Sequence, residues 1–155
     1  MVVERPVSEV MSSPVLSVGR DTPLQEAVQL MSDHHISALA VLDAQGRLVG
    51  ELTEQDLMVR ESGFQSGPYV MLLDAVIYLR NPLNWDKEVH QVLGSTVAEV
   101  MGEHPHSCPP GTLLPAAARL LHESRIQRLF VLDEERRPLG VITRGDVVRA
   151  LAAAG

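Results

Sequence analysis

Aromatic side chains are scarce in this chain: Phe64, Phe130, Tyr69, Tyr78 and Trp85 are the only five among 155 residues. A core of ordinary size must therefore be built from Val, Leu, Ala, Ile and Met, which dominate the 45% hydrophobic content. Cysteine is scarcer still. Cys108 stands alone, so no intramolecular disulfide can form, and neither a C-x-x-C pair nor an H-E-x-x-H helix offers itself to zinc. Basic charge is in deficit: 13 Lys and Arg against 20 Asp and Glu leave a net charge of −7. That balance argues against a nucleic-acid or anionic-membrane surface, either of which needs cations to neutralise phosphates. Long apolar runs are missing too. The longest, YVMLL-Asp74-AVIYL, is about half the length of a membrane-spanning helix and carries a charge at its centre. With no charged segment and apolar run opening the chain, a cytoplasmic, reduced protein is expected. Walker and G-x-G-x-x-G loops are absent, and Ser12 and Ser13 lack a nucleophile-elbow context, so an enzyme is not expected.

What is present is a repeat. Sliding the chain by 90 positions superposes residues 7–60 on 97–150 without a gap, with identity at about a third of the positions. Glu9, Val10 and Met11 fall on Glu99, Val100 and Met101. Thr22, Leu24 and Ala27 fall on Thr112, Leu114 and Ala117, and Ile36, Leu39, Val41, Leu42 and Asp43 on Ile126, Leu129, Val131, Leu132 and Asp133. The stretches GELTEQD and GVITRGD then align Gly50, Thr53 and Asp56 with Gly140, Thr143 and Asp146.

Each copy reads as strand, helix, strand, turn, strand, helix. PVLSV is β-rich, and Asp21, Thr22 and Pro23 mark a helix start through a capping side chain and an early proline. Leu24, Ala27, Val28 and Met31 follow at helical spacing. SALAVLD and RLVGELT are strands joined across AQG, whose glycine can take a positive φ, and EQDLMVR is helical. The second copy has ERRP in place of the glycine turn and Val147, Val148 and Leu151 on its last helix. One β-α-β-β-α unit of this size is marginal alone. The expected fold is therefore α/β (α+β), with two pseudo-symmetric units packed through their sheets and two related clefts where they meet. The expected division is 1–61, an apolar aromatic-rich insert at 62–95, and 96–155.

VSEVM and VAEVM, HHISALAVLD and SRIQRLFVLD, and the two G-h-h-T-x-x-D ends, repeated in order at constant spacing, resemble the cystathionine-β-synthase-type (CBS) domain in its tandem form, the Bateman module. The resemblance covers nearly all of the chain outside 61–95. It implies a stand-alone, non-catalytic regulatory module that binds an adenosine-containing ligand between paired units and forms a homodimer. AMP, ADP or ATP is expected ahead of S-adenosylmethionine or NAD. No other cofactor is required, and the regulated protein is unknown.

The chemistry suits T-x-x-D. A helix N-terminus leaves backbone N–H groups unpaired and partially positive, ready for phosphate or hydroxyl oxygen. A carboxylate in that first turn can accept hydrogen bonds from the paired ribose hydroxyls. The resemblance makes Asp56 and Asp146 the ribose acceptors, with Thr53 and Thr143 beside them. It sets Leu16, Ile36 and Ser37 in one unit, and His106, Ile126 and Gln127 in the other, against the base. The same T-x-x-D spacing is close to that of a capping box, so a purely structural role stands beside the ligand role.

The copies differ at the base-facing position two before each Thr: Val141 suits an adenine sandwich, whereas Glu51 brings a carboxylate. An unpartnered buried carboxylate is costly, so Glu51 turns to solvent, receives a hydrogen bond from the base, or disables its cleft. Arg128 and Arg144 flank the second site where Ala38 and Glu54 stand in the first, and guanidinium groups pair well with phosphate. The Asp146 site is therefore expected to be the competent one. Arg125 and His35 are secondary phosphate candidates.

The insert holds four of the five aromatics and is expected to cross the units or a dimer interface, with Asn84 capping a helix through Val89, Val92 and Leu93. Thr96 and Glu99 then form a capping box. His104, His106 and Cys108 alternate in HPHSC and would share one face of a strand, but fall short of a tetrahedral zinc set, so no metal is expected. The alternative to a ligand sensor is a ligand-free interaction module acting through its dimer interface.

Overall fold

The computed structural model describes residues 4–57 and 96–154. The expectations for the insert, including the helix after Asn84, lie outside the described residues. The elements run β1 (Ser17–Gly19), α1 (Leu24–His34), β2 (Ala38–Leu42), β3 (Leu48–Thr53), β4 (Gly102–Glu103), β5 (Ser107–Cys108), α2 (Leu114–Glu123), β6 (Arg128–Leu132), β7 (Pro138–Thr143) and α3 (Arg144–Ala154). Short 3₁₀ turns at Val7–Glu9 and Val97–Glu99 precede each repeat. A helix also starts at 54–57. The fold is mixed α+β, and no helix among the described residues is long and apolar enough to cross a membrane.

Compactness divides the chain into two units that do not follow the repeat register. The Asp146 unit takes the chain up to Leu16, then Gln45–Leu48, then His104 onward. The Asp56 unit takes Ser17–Ala44 and the described part of Val49–Glu103. Backbone hydrogen bonds explain the exchange. In the Asp146 unit the Val7 N–H donates to the Thr112 carbonyl at 2.8 Å, and the Leu114 N–H to the Arg5 carbonyl at 2.8 Å. In the Asp56 unit the Val97 N–H donates to the Thr22 carbonyl at 2.9 Å, and the Ala98 N–H to the Arg20 carbonyl at 2.9 Å. Val7 and Val97 are wholly buried, so each leading segment is anchored by an apolar side chain as well as by backbone.

The Asp146 unit carries a three-stranded sheet in the order β5-β6-β7, with β5 parallel and β7 antiparallel to β6. Its core joins Val7 to Leu114, Ala117 and Leu121 of α2, Leu129, Val131 and Ile142 of the sheet, and Val147 and Ala150 of α3. Val147, Val148 and Leu151 all lie on α3 as expected; Val147 is buried, whereas Val148 and Leu151 are 64% and 56% exposed. Ala150, at i+4 from Asp146 and i+3 from Val147, is the residue that returns to the buried face.

The sheet of the Asp56 unit has the order β1-β2-β3-β4, with β1 parallel to β2 and β4 antiparallel to β3. The first strand begins at Ser17, later than the PVLSV run predicts, where the chain passes from the Asp146 unit into this one after Leu16. Helix α1 starts as expected after Pro23, but no side chain caps it. The Thr22 hydroxyl instead accepts the Gly19 N–H at 3.0 Å. The Thr96–Glu99 box does form, with the Glu99 carboxylate accepting the Thr96 N–H at 3.2 Å.

The turn between β2 and β3 uses Gly46 at φ 82°, as expected, and its repeat equivalent Arg136 holds φ 67°. The arginine is held there by Asp133, whose carboxylate accepts the Glu135 N–H at 2.8 Å and the Arg137 N–H at 2.9 Å. A side chain in this left-handed region costs about 1–2 kcal/mol. Gly46→Ala is therefore expected to lower stability by about 1 kcal/mol, read as a fall of about 2–4 °C in the thermal midpoint. An unchanged midpoint would show that the turn relaxes at no cost.

Candidate functional site

Both T-x-x-D sequences close the same small ring. At the end of β3 the Asp56 Oδ2 accepts the Thr53 N–H at 2.9 Å and the Thr53 hydroxyl at 3.0 Å, while the Asp56 N–H donates back to Thr53 Oγ1 at 3.1 Å. At the end of β7 the Asp146 Oδ2 accepts the Thr143 N–H at 2.9 Å and its hydroxyl at 3.0 Å, and the Asp146 N–H returns to Thr143 Oγ1 at 3.2 Å. The threonine is fixed by the strand and the aspartate by the first helical turn, so orphan donors of the helix start are satisfied by side chains.

The second oxygen separates the two sites. Asp146 is buried, with 5% of its surface exposed. Its Oδ1 accepts the Ser12 hydroxyl at 3.0 Å and forms an ion pair with Arg149. Ser12 is held there by a two-way bridge: its N–H donates to the Val141 carbonyl at 2.9 Å, and the Val141 N–H returns to the Ser12 carbonyl at 3.0 Å. Asp56 is half-buried, and its Oδ1 has no hydrogen-bond partner among the described residues. Gly102 holds the place of Ser12 there. A Cβ on Gly102 would stand 3.9 Å from that oxygen.

The glycine that opens each motif is explained by the same crossing segments. A Cβ on Gly140 would fall 2.4 Å from the Met11 sulfur and 2.9 Å from the Ser12 carbonyl oxygen. One on Gly50 would fall 2.8 Å from the Gly102 carbonyl oxygen and 2.9 Å from the Met101 sulfur. Only a residue without a side chain lets the leading segment lie against the strand so closely.

The remaining predicted residues distribute as follows. In the Asp146 unit, Arg128 lies opposite Thr143 and Phe130 opposite Val141 in the β6–β7 register. The His106 carbonyl accepts the Phe130 N–H at 3.0 Å, which brings His106 to the same ladder. Arg144 Nε donates to the Ile126 carbonyl at 3.3 Å, joining the helix start to the segment that carries Ile126 and Gln127. Ile126, Arg128, Val141 and Thr143 are half-buried, while His106, Gln127 and Arg144 are exposed. In the Asp56 unit, the Ser37 carbonyl accepts the Glu54 N–H at 3.1 Å, so Ser37 meets the helix start directly and the half-buried Ile36 precedes it. Leu16 belongs to the Asp146 unit and not to the one that carries Thr53 and Asp56.

Glu51 is half-buried, engaged by a neighbour, and opposite Gly102 in the sheet. His35 and Arg125 adopt φ 52° and 54° where the chain leaves α1 and α2, with exposed side chains. His104, His106 and Cys108 do not share a strand: β5 contains only Ser107 and Cys108, and His104 turns through φ 60°. Cys108 is 5% exposed, and burial pushes its thiol pKa up. No group of three or more His, Cys, Asp or Glu among the described residues could hold a metal ion.

The CBS-domain family model matches residues 7–63 and 97–153, and the chain belongs to that family. It is 26% identical over 152 residues to protein MJ1426 of Methanocaldococcus jannaschii, covering 94% of this chain and 90% of that protein. It is 30% identical over 135 residues to the chloroplastic CBS domain-containing protein CBSX2 of Arabidopsis thaliana. That alignment spans 86% of this chain and 57% of the plant protein. The solved structure of CBSX2 in complex with AMP superposes with a TM-score of 0.73 at 26% identity, over 97% of this chain and 98% of that one.

Proposed function

We propose that this protein is a non-catalytic regulatory module that binds an adenosine-containing ligand at its two Thr–Asp helix starts and passes the change to a partner protein. AMP, ADP or ATP is proposed ahead of S-adenosylmethionine or NAD, and a homodimer is the proposed assembly. The observation that carries the reading is the paired ring at Thr53–Asp56 and Thr143–Asp146. Each ring sets a carboxylate beside a helix N-terminus, the arrangement that suits a ribose diol and its phosphate. Binding of AMP by CBSX2 supports it.

The test is the thermal midpoint of ligand-stripped protein against AMP, ADP, ATP, S-adenosylmethionine and NAD. At a hundred times the dissociation constant a native-state ligand adds about 2.7 kcal/mol, which raises the midpoint by about 5–10 °C. The double variant Asp56→Asn, Asp146→Asn is expected to lose that rise. A second reading, a ligand-free interaction module, is favoured by one feature, the exposure of Val148 and Leu151 on α3. No shift with any of the five ligands would leave the interaction module as the function.

A further inference from the structure

The two carboxylates differ in how much acceptor capacity they have left. An ionised carboxylate offers about four lone-pair positions. Asp146 has four donors on it: the Thr143 N–H, the Thr143 hydroxyl, the Ser12 hydroxyl and the Arg149 guanidinium. Among the described residues Asp56 has two, both from Thr53 and both on Oδ2. A ribose presents two vicinal hydroxyl donors. That demand matches what Asp56 Oδ1 has open and exceeds what Asp146 has.

We infer that Ser12 and Arg149 form a latch over Asp146, so that the Asp56 site takes an adenosine ligand first and the Asp146 site only when the latch gives way. The inference rests on the adenosine reading above and adds to it an order of filling. The latch has one firm and one soft member. Ser12 is fixed by its two-way backbone bridge to Val141 and must lose that register, or rotate its hydroxyl, to clear Oδ1. Arg149 has 70% of its side chain in solvent, so its pairing is screened and easily exchanged for a ligand phosphate. The repeat equivalents of these two residues are Gly102 and Val59, neither of which has a side-chain donor. The difference between the sites is therefore written in two positions outside T-x-x-D. It opposes the order that Val141 and the flanking arginines favour.

Titration calorimetry of the full chain with AMP tests the latch. Wild-type protein is expected to take one AMP per chain in the tight step. Gly102→Ser should weaken that step about tenfold or more, because a hydroxyl built on a Cβ 3.9 Å from Asp56 Oδ1 reaches the open acceptor without a clash. The double variant Ser12→Gly, Arg149→Val removes both donors from Asp146 Oδ1, and should raise the tight stoichiometry to two. A tight step that survives Gly102→Ser, or one lost in Asp146→Asn and kept in Asp56→Asn, overturns the order while leaving the adenosine reading intact. Absence of heat from wild type and every variant with AMP, ADP, ATP, S-adenosylmethionine and NAD alike, with far-UV circular dichroism retained, overturns the adenosine reading and the order together.

Discussion

Gly140→Ala should destabilise the protein by about 3 kcal/mol, more than a methyl group costs at almost any surface position. The new Cβ meets two kinds of obstacle. The Met11 sulfur, at 2.4 Å, ends a flexible side chain and can swing aside. The Ser12 carbonyl oxygen, at 2.9 Å, cannot: it receives the Val141 N–H at 3.0 Å, and the Ser12 N–H returns to Val141 at 2.9 Å. Moving it breaks both bonds and pulls Ser12 off Asp146. Gly50→Ala meets the Gly102 carbonyl in the same way at 2.8 Å and should cost a similar amount. Gly111→Ala, with nothing within 4 Å of its Cβ, is the control and should stay within about 0.5 kcal/mol of wild type. Urea unfolding midpoints at constant m-value make the comparison. A Gly140→Ala protein as stable as the Gly111→Ala control would show that the leading segment is not held against β7.

Asp146→Ala should cost about 2 kcal/mol, and Asp56→Ala about 1 kcal/mol, although the two sit in identical motifs. Each substitution removes the acceptor of a helix-start ring, a loss of about 1 kcal/mol in itself. At Asp146 the Ser12 hydroxyl loses its acceptor as well, a further hydrogen bond of about 1 kcal/mol, and water can take its place because Ser12 is exposed. The Arg149 pair adds little, because its guanidinium is mostly in water. Asp146→Asn keeps an acceptor oxygen for the ring and should lose less than the alanine. Chemical denaturation of the four single variants, alanine and asparagine at each position, reads the difference. Equal losses at Asp56 and Asp146 would remove the energetic distinction between the sites.

Much of the architecture was legible because it rests on local signals. The strands Ala38–Leu42 and Leu48–Thr53, the left-handed Gly46 and the apolar face of α1 follow from residue spacing and turn chemistry alone. The T-x-x-D rings were legible both as caps and as candidate acceptors, since their spacing fixes the bonds whatever surrounds them. What the repeat concealed was which copy of a segment serves which unit. A 90-residue periodicity is unchanged when the two leading segments trade places, so Ser12 could not be matched to Asp146, nor Gly102 to Asp56, from spacing. Arg149 could have been found: it lies three residues after Asp146 on a helix, the separation at which opposite charges meet. Val148 and Leu151 lie on the last helix as expected, but that Ala150 rather than either of them fills its buried face is not legible from apolarity alone.

The traded leading segments also set the timing of folding. The Arg5 carbonyl and the Val7 N–H bond to Leu114 and Thr112, separated from them by most of the 155 residues. Closing so long a loop is entropically unfavourable until both ends have somewhere to dock, and contacts this distant in sequence slow the search for the native state. During synthesis the first segment therefore emerges without its partner. The Asp146 unit can close its core around Val7 only after the second repeat has left the ribosome, so a segment translated well before its partners waits for them to be placed.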